Sequence, residues 1–160
     1  WFSDILGRSV RLVHMSRDVH RPLEKSYLPS NRSFEVSFAD GYPYLLTNQA
    51  SLDDLNGRLN QPIPMDRFRS NLIVSGFAAF AEDRWKRMRI GKVEFLVVKP
   101  SARCVVTTID QKSGIASREP LKTLATYRKQ EGKVMFGMNL IALGSGNVRV
   151  GDEVSILEHQ

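Results

Sequence analysis

Apolar and polar positions alternate along much of the chain with the period of strands. "FEVSF" (34–38) alternates residue by residue, "YLLT" (44–47) is a short apolar run, and "NLIVSG" (71–76) predicts a buried strand. "VEFLVVK" (93–99), "CVVTTID" (104–110) and "MNLIALG" (138–144), rich in β-branched or apolar residues, predict three more. "NVRVGDEVSIL" (147–157) reads as two alternating arms around a Gly151-Asp152 turn. Helical spacing shows in two places. In "SLDDLNGRL", Ser51 is placed to cap, Asp54 follows three residues on, and Leu52, Leu55 and Leu59 share a face. In "EPLKTLATYRKQEG", Pro120 suits a first turn, Leu121, Leu124 and Ala125 face inward, and Gly132 is the stop. "FAEDRWK" (80–86) reads as a turn packed by Trp85, with Glu82 and Asp83 solvated. Many short strands and few helices predict a mainly β (α+β) fold, a closed or nearly closed β-barrel with a few peripheral helices.

Composition narrows the class. At 160 residues and 42% apolar content, one domain over 1–160 with a real core is expected. The single cysteine, Cys104, allows no internal disulfide, which points to a reducing compartment. No apolar run approaches the roughly 18 residues of a membrane span, and "WFSDILGRSVRLVHM" lacks the pattern of a secretory signal, so a cytoplasmic protein is expected. Trp1 is not an initiator residue, and a fragment or processed form is expected.

Lys and Arg outnumber Asp and Glu by 23 to 17, a net +6, and fifteen of the cations are Arg. The guanidinium fork matches phosphate and carboxylate, so an anionic partner fits. The bases are spread through "RFR", "RWKRMR", "SREPLK" and "YRK" without interleaved aromatics or a nucleic-acid module, so nucleic acid is not the expected partner and a solvated basic surface is.

Common catalytic signatures are missing: no HExxH, CxxC, phosphate loop or GxSxG occurs, and His14, His20 and His159 lie far apart. Cys104 is left with two readings, a silent core thiol or an accessible ligand or nucleophile. Arg103 and Lys99 nearby favour a thiolate, and Pro100, Ser101 and Ala102 form a loop leading into the run. Alternation would set Cys104, Val106 and Thr108 on one face. In an extended "RFRSNLIVSG", Arg69 and Asn71 would share a face and offer a fork and an amide to an anionic or heterocyclic ligand, or be a strand edge with a turn Asn.

The order of "NQASLDDLNGRL", "FRSNLIVSG", "FAEDRWKRMRIGKVEFLVVKPSARC", "TTID", "REPLKTLATYR", "VMFGMNL" and "VRVGDEV" resembles a MOSC domain, the fold named after the C-terminal part of molybdenum-cofactor sulfurase. The branch it is most similar to holds the amidoxime-reducing component and its bacterial relatives. The resemblance runs over nearly the whole chain and is densest from Tyr42 to Asp152. It implies a MOSC-type barrel binding the molybdenum cofactor (molybdenum with molybdopterin). Cys104 would be the catalytic thiolate ligand to the metal, Arg69 would hold the pterin and its phosphate, and Asn71, Arg103 and Asn139 would be further cofactor contacts. The implied reaction is reduction of N-hydroxylated compounds such as amidoximes and hydroxylamines, with electrons from a separate redox protein, and no membrane. The alternatives are a sulfur- or cofactor-carrier MOSC module without reductase activity and a basic interaction domain.

Three departures from the family pattern are visible. "SARC" stands where the family commonly has "CSRC", so Ser101 replaces a cysteine and Ala102 a serine. Asn139 stands where some members carry a tyrosine. The family's N-terminal β-rich region has no counterpart here, so residues 1–15 are expected to be a linker and first-strand segment, and the fragment alone to be inactive and free of cofactor.

Overall fold

A computed structural model describes the chain except for Arg17, residues 24–33 and Asp40. It divides into two compact units, Trp1–Gly41 and Tyr42–Gln160.

In the first unit, residues 1–15 hold a short helix, α1 (Phe2–Leu6), and no strand, where a strand segment was expected. Gly7 ends the helix in the left-handed conformation, and the Ser3 hydroxyl bonds both backbone groups of Val10. "FEVSF" does not form a strand. It makes one bridge, Glu35 to Pro22, flanked by Leu23 N–H to Phe34 and Val36 N–H to Arg21. A proline partner has no N–H with which to continue the ladder.

The second unit is a curled seven-stranded sheet. β1 (Tyr44–Asn48), β2 (Leu72–Val74), β3 (Trp85–Ile90), β4 (Val93–Ala102), β5 (Lys129–Gln130), β6 (Lys133–Ala142) and β7 (Val154–His159) run in the order β2-β1-β6-β4-β3-β7, with β5 paired to β6. β1 runs parallel to β2 and the other pairs are antiparallel. The path is open: β2 and the approach to β7 face each other across a cleft of about 750 Å³ lined by Asn71, Ile73, Phe77, Val148, Arg149 and Val154. The fold is therefore mainly β, a half-barrel with few helices.

Burial alternates along β4, whereas β6, in the middle of the sheet, buries successive residues. Leu46, Met88, Phe95, Val97, Met138 and Leu140 form the main core, each 3% exposed or less. A second cluster, Leu52, Leu55, Phe68, Leu124 and Phe136, packs helix α2 (Gln49–Asn56) and the short helix α3 (Leu121–Leu124) on the sheet. β6 approaches β1 so closely that a Cβ on Gly137, at φ 77°, would lie 2.5 Å from the Leu46 carbonyl oxygen.

Several local expectations are corrected. The cap of α2 is Asn48, whose side chain accepts the Ala50 N–H, and Ser51 is buried inside the helix. "EPLKTLATYRKQEG" yields only one helical turn, because Lys129–Gln130 pair with β6 and Glu131-Gly132 form the hairpin turn, both at positive φ. Trp85 opens β3 after a 3₁₀ turn, Ala81–Arg84. Glu82 is fully buried, not solvated: Ser51 and Asn48 donate to its two oxygens at 2.7 and 3.0 Å. Asp83 takes a two-pronged bond from Arg128. Of the C-terminal arms only β7 is a strand, since the Arg149 N–H bonds the Asp152 carboxylate in a turn.

Candidate functional site

"CVVTTID" is not a strand. Val105–Thr108 form a 3₁₀ turn with Cys104 as its N-cap. The threonine hydroxyls explain the departure: Thr107 donates to the Cys104 carbonyl at 3.0 Å and Thr108 to the Val105 carbonyl at 2.7 Å, satisfying the backbone without a strand partner. Burial is then contiguous and not alternating. Cys104, Val105 and Val106 are exposed, and Thr107 and Thr108 are buried. Of the two readings, the accessible thiol is the one observed.

Arg69 and Asn71 do not share a strand face. A 3₁₀ turn, Met65–Phe68, ends at Arg69 in the left-handed conformation (φ 56°, ψ 41°), and β2 starts only at Leu72. A non-glycine residue there is strained, a feature that concentrates at functional sites. The turn presents Arg69 as an exposed cation. Asn71 instead completes the sheet: its side-chain oxygen accepts the Leu45 N–H at 2.8 Å and its own N–H donates to Leu45.

Arg103 joins the two turns. Its Nη2 donates to the Phe68 carbonyl at 2.7 Å, its Nη1 to Ser101 Oγ at 3.0 Å, and its backbone N–H to Val134 at 2.8 Å. Burial depresses its pKa below the usual arginine value; the neighbouring Cys104 opposes that shift and the Arg69 charge adds to it. The guanidinium stays charged, and its Nε is buried with no partner. Cys104, Arg103 and Arg69 therefore lie in one electrostatic neighbourhood. Asn139 stands apart in β6, across the ladder from Leu45 on one side and Lys99 on the other, with its amide on the Pro100 carbonyl at 3.4 Å.

Sequence reading missed two residues. Ser101 accepts from Arg103. Arg67, two residues before Arg69, is 6% exposed and sends its whole fork into the Cys104 loop. Nothing in "RFR" marks one arginine as buried and the other as exposed.

Among the described residues no three His, Cys, Asp or Glu side chains come close enough to hold a bare metal ion. The donor set suits a group that brings its own metal ligands: one soft thiol, one exposed fork and one half-buried guanidinium whose Nε has no partner. Among the described residues no helix is long and apolar enough to cross a membrane.

The family model described as MOSC domain matches residues 33–155. The mitochondrial amidoxime reducing component 2 of Rattus norvegicus is 39% identical over 96% of the chain and 49% of its own length. The mitochondrial amidoxime-reducing component 1 of Danio rerio is 40% identical over 96% of the chain and 50% of its own length. The molybdenum cofactor sulfurase of Oryza sativa subsp. japonica is 37% identical over 88% of the chain and 19% of its own length. The chain thus spans about half the length of the amidoxime-reducing relatives. A solved structure, YiiM from Geobacillus stearothermophilus, superposes with a TM-score of 0.54 at 15% identity, over 88% of this chain and 74% of that one.

Proposed function

The chain belongs to the MOSC domain family, and from that premise we propose that it is the molybdenum-cofactor-binding domain of an oxidoreductase that reduces N-hydroxylated compounds. Two of the relatives above are named for amidoxime reduction, the third for a molybdenum cofactor. The observation that carries the reading is the exposed Cys104 thiol next to Arg103, whose guanidinium is bonded to Phe68, the residue before the exposed Arg69. Bound there, the cofactor would supply two-electron redox chemistry suited to removing oxygen from an N-hydroxylated substrate.

Each residue has a task in this reading. Cys104 offers a thiolate, the soft ligand such a metal prefers over hard oxygen. Arg69, exposed on its left-handed turn, takes the pterin phosphate with a charge-assisted fork. Arg103 keeps positive charge beside the thiol, and its Nε has no partner within the protein. Asn71, just ahead of β2 and bonded to Leu45, and Asn139, on β6 with its amide on Pro100, are in this reading further contacts of the pterin. The substrate is a small N-hydroxylated molecule such as an amidoxime or hydroxylamine, and a separate redox protein delivers electrons. The lone exposed thiol fits a reducing compartment, here the cytoplasm, while two of the relatives above carry mitochondrial names. The carrier reading keeps a foothold in the sulfurase relative.

Metal analysis and a pterin fluorescence assay on protein containing this chain test the cofactor, and hydroxylamine turnover with an artificial electron donor tests the reaction. Bound cofactor without turnover favours the carrier. Absence of both molybdenum and pterin removes the proposal.

A further inference from the structure

Arg67 and Arg103 reach across the same gap in opposite directions. Arg67 leaves the turn Met65–Phe68 and donates through Nε to the Thr107 carbonyl at 3.1 Å, through Nη2 to the Thr108 carbonyl at 3.2 Å and through Nη1 to Asp110 at 3.2 Å. Arg103 leaves the Cys104 side and donates to Phe68, the residue after Arg67. Thr107 closes the circuit, since both its N–H and its hydroxyl bond the Cys104 carbonyl. The far end of the loop is tied as well: Asp110 accepts from the N–H groups of Lys112 and Ser113 and from the Ser113 hydroxyl.

We propose that Arg67 is a positioning residue, which with Arg103 forms a reciprocal clamp fixing where Cys104 stands relative to Arg69. The proposal rests on reading Cys104 and Arg69 as the cofactor-holding pair. A buried arginine is a costly way to fill space, and apolar residues of similar volume usually serve stability as well or better. A guanidinium adds direction: three donors in one plane hold two successive carbonyls and a carboxylate at fixed angles, which lysine cannot do. The 3₁₀ turn needs such a grip, because it is short, its apolar Val105 and Val106 face solvent, and little packing holds it. The clamp joins Arg69 and Cys104 through a few residues of backbone, so an error of an ångström in the turn reaches both groups that would grip one ligand.

The test compares protein containing this chain, as parent, with its Arg67→Met, Arg67→Lys and Asp110→Asn variants. Amide exchange at Thr107 and Ile109, whose N–H groups bond Cys104 and Val106 carbonyls, should rise about 100-fold in R67M and about tenfold in R67K, with β4 and β6 unchanged. D110N keeps both carbonyl bonds and should exchange like the parent. Molybdenum retained per chain after expression in a molybdenum-replete host should fall about tenfold or more in R67M and recover in part in R67K. If R67M also loses protection in β4 and β6, R67K decides on the same two readouts. Unchanged loop exchange overturns the clamp. Faster exchange with undiminished molybdenum overturns the positioning role. A parent that holds no molybdenum sinks the cofactor reading instead, and loop exchange then decides the clamp alone.

Discussion

The β4–β6 sheet and the Cys104 loop are joined in sequence at Ala102 but held by different physics. The sheet is secured by side chains removed from water on one face, Phe95, Val97, Met138 and Leu140 among them, each contributing on the order of 1.5–3 kcal/mol. The loop has its valines in solvent and is secured by hydrogen bonds donated by Arg67, Thr107 and Thr108 and by those the Asp110 carboxylate accepts. Apolar burial tolerates small shifts. A directional network does not, and it leaves a thiol exposed where packing would have hidden it. Stability and chemistry are thus carried by adjoining but separable parts, and that separation can be attacked from either side.

The largest expected effect falls on the loop. Cys104→Ser should cut molybdenum retention and hydroxylamine turnover by about 1,000-fold or more, since hydroxyl is a poor substitute for a soft thiolate. Because Cys104 is exposed, the unfolding free energy should move by no more than about 0.5 kcal/mol. Denaturant titration beside metal analysis reads both, and retained molybdenum would falsify the ligand role.

The opposite attack is Phe136→Ala. Phe136 is fully buried and stacks on Phe68 at 3.9 Å between centroids, so its removal should cost about 3–5 kcal/mol. The midpoint of thermal unfolding should drop sharply; a small shift would mean that the second cluster is not a true core.

A finer cut separates charge from shape. Arg69→Ala should lower cofactor retention about 10- to 100-fold, and Arg69→Lys should recover only part of it, because the fork and not the charge alone fits a phosphate. Equal retention in parent, Lys and Ala proteins would return Arg69 to the solvated surface.

The smallest effect concerns pH. Burial raises the Glu82 carboxyl above its ordinary value of 4.5, against the opposing hydrogen bonds from Ser51 and Asn48. A raised folded-state value means the native protein holds the proton more tightly than the unfolded chain. Stability from this group is therefore full below the ordinary value and is lost as pH rises through the raised one. Glu82→Gln should flatten the decline in melting temperature as pH rises above the ordinary carboxyl value of 4.5, since the amide never ionises. Parallel declines in the two proteins would show that other groups set the pH dependence.

How much could be read in advance follows from the same contrast. Strands β1, β4 and β6, the apolar face of α2 and the thiol worth asking about were legible in the sequence, because alternation, helical spacing and a lone cysteine beside Arg103 are local signals. The run "CVVTTID" misled for an equally physical reason. β-branched residues favour strands, but here threonine hydroxyls and an arginine 40 positions away bond the carbonyls that a strand partner would have taken. Glu82 was assigned to solvent because acids usually lie there, and only the arrival of Ser51 and Asn48 makes its burial tolerable. Likewise "RFR" contains two identical side chains, one buried and one exposed, and composition cannot tell them apart. The sequence by itself determined a mainly β chain and its candidate thiol through interactions of short range. Which arginine faces a ligand, which one grips a loop and whether the thiol is reachable were decided by tertiary structure, because those outcomes depend on hydrogen-bond partners that are distant along the chain and near only once it has folded.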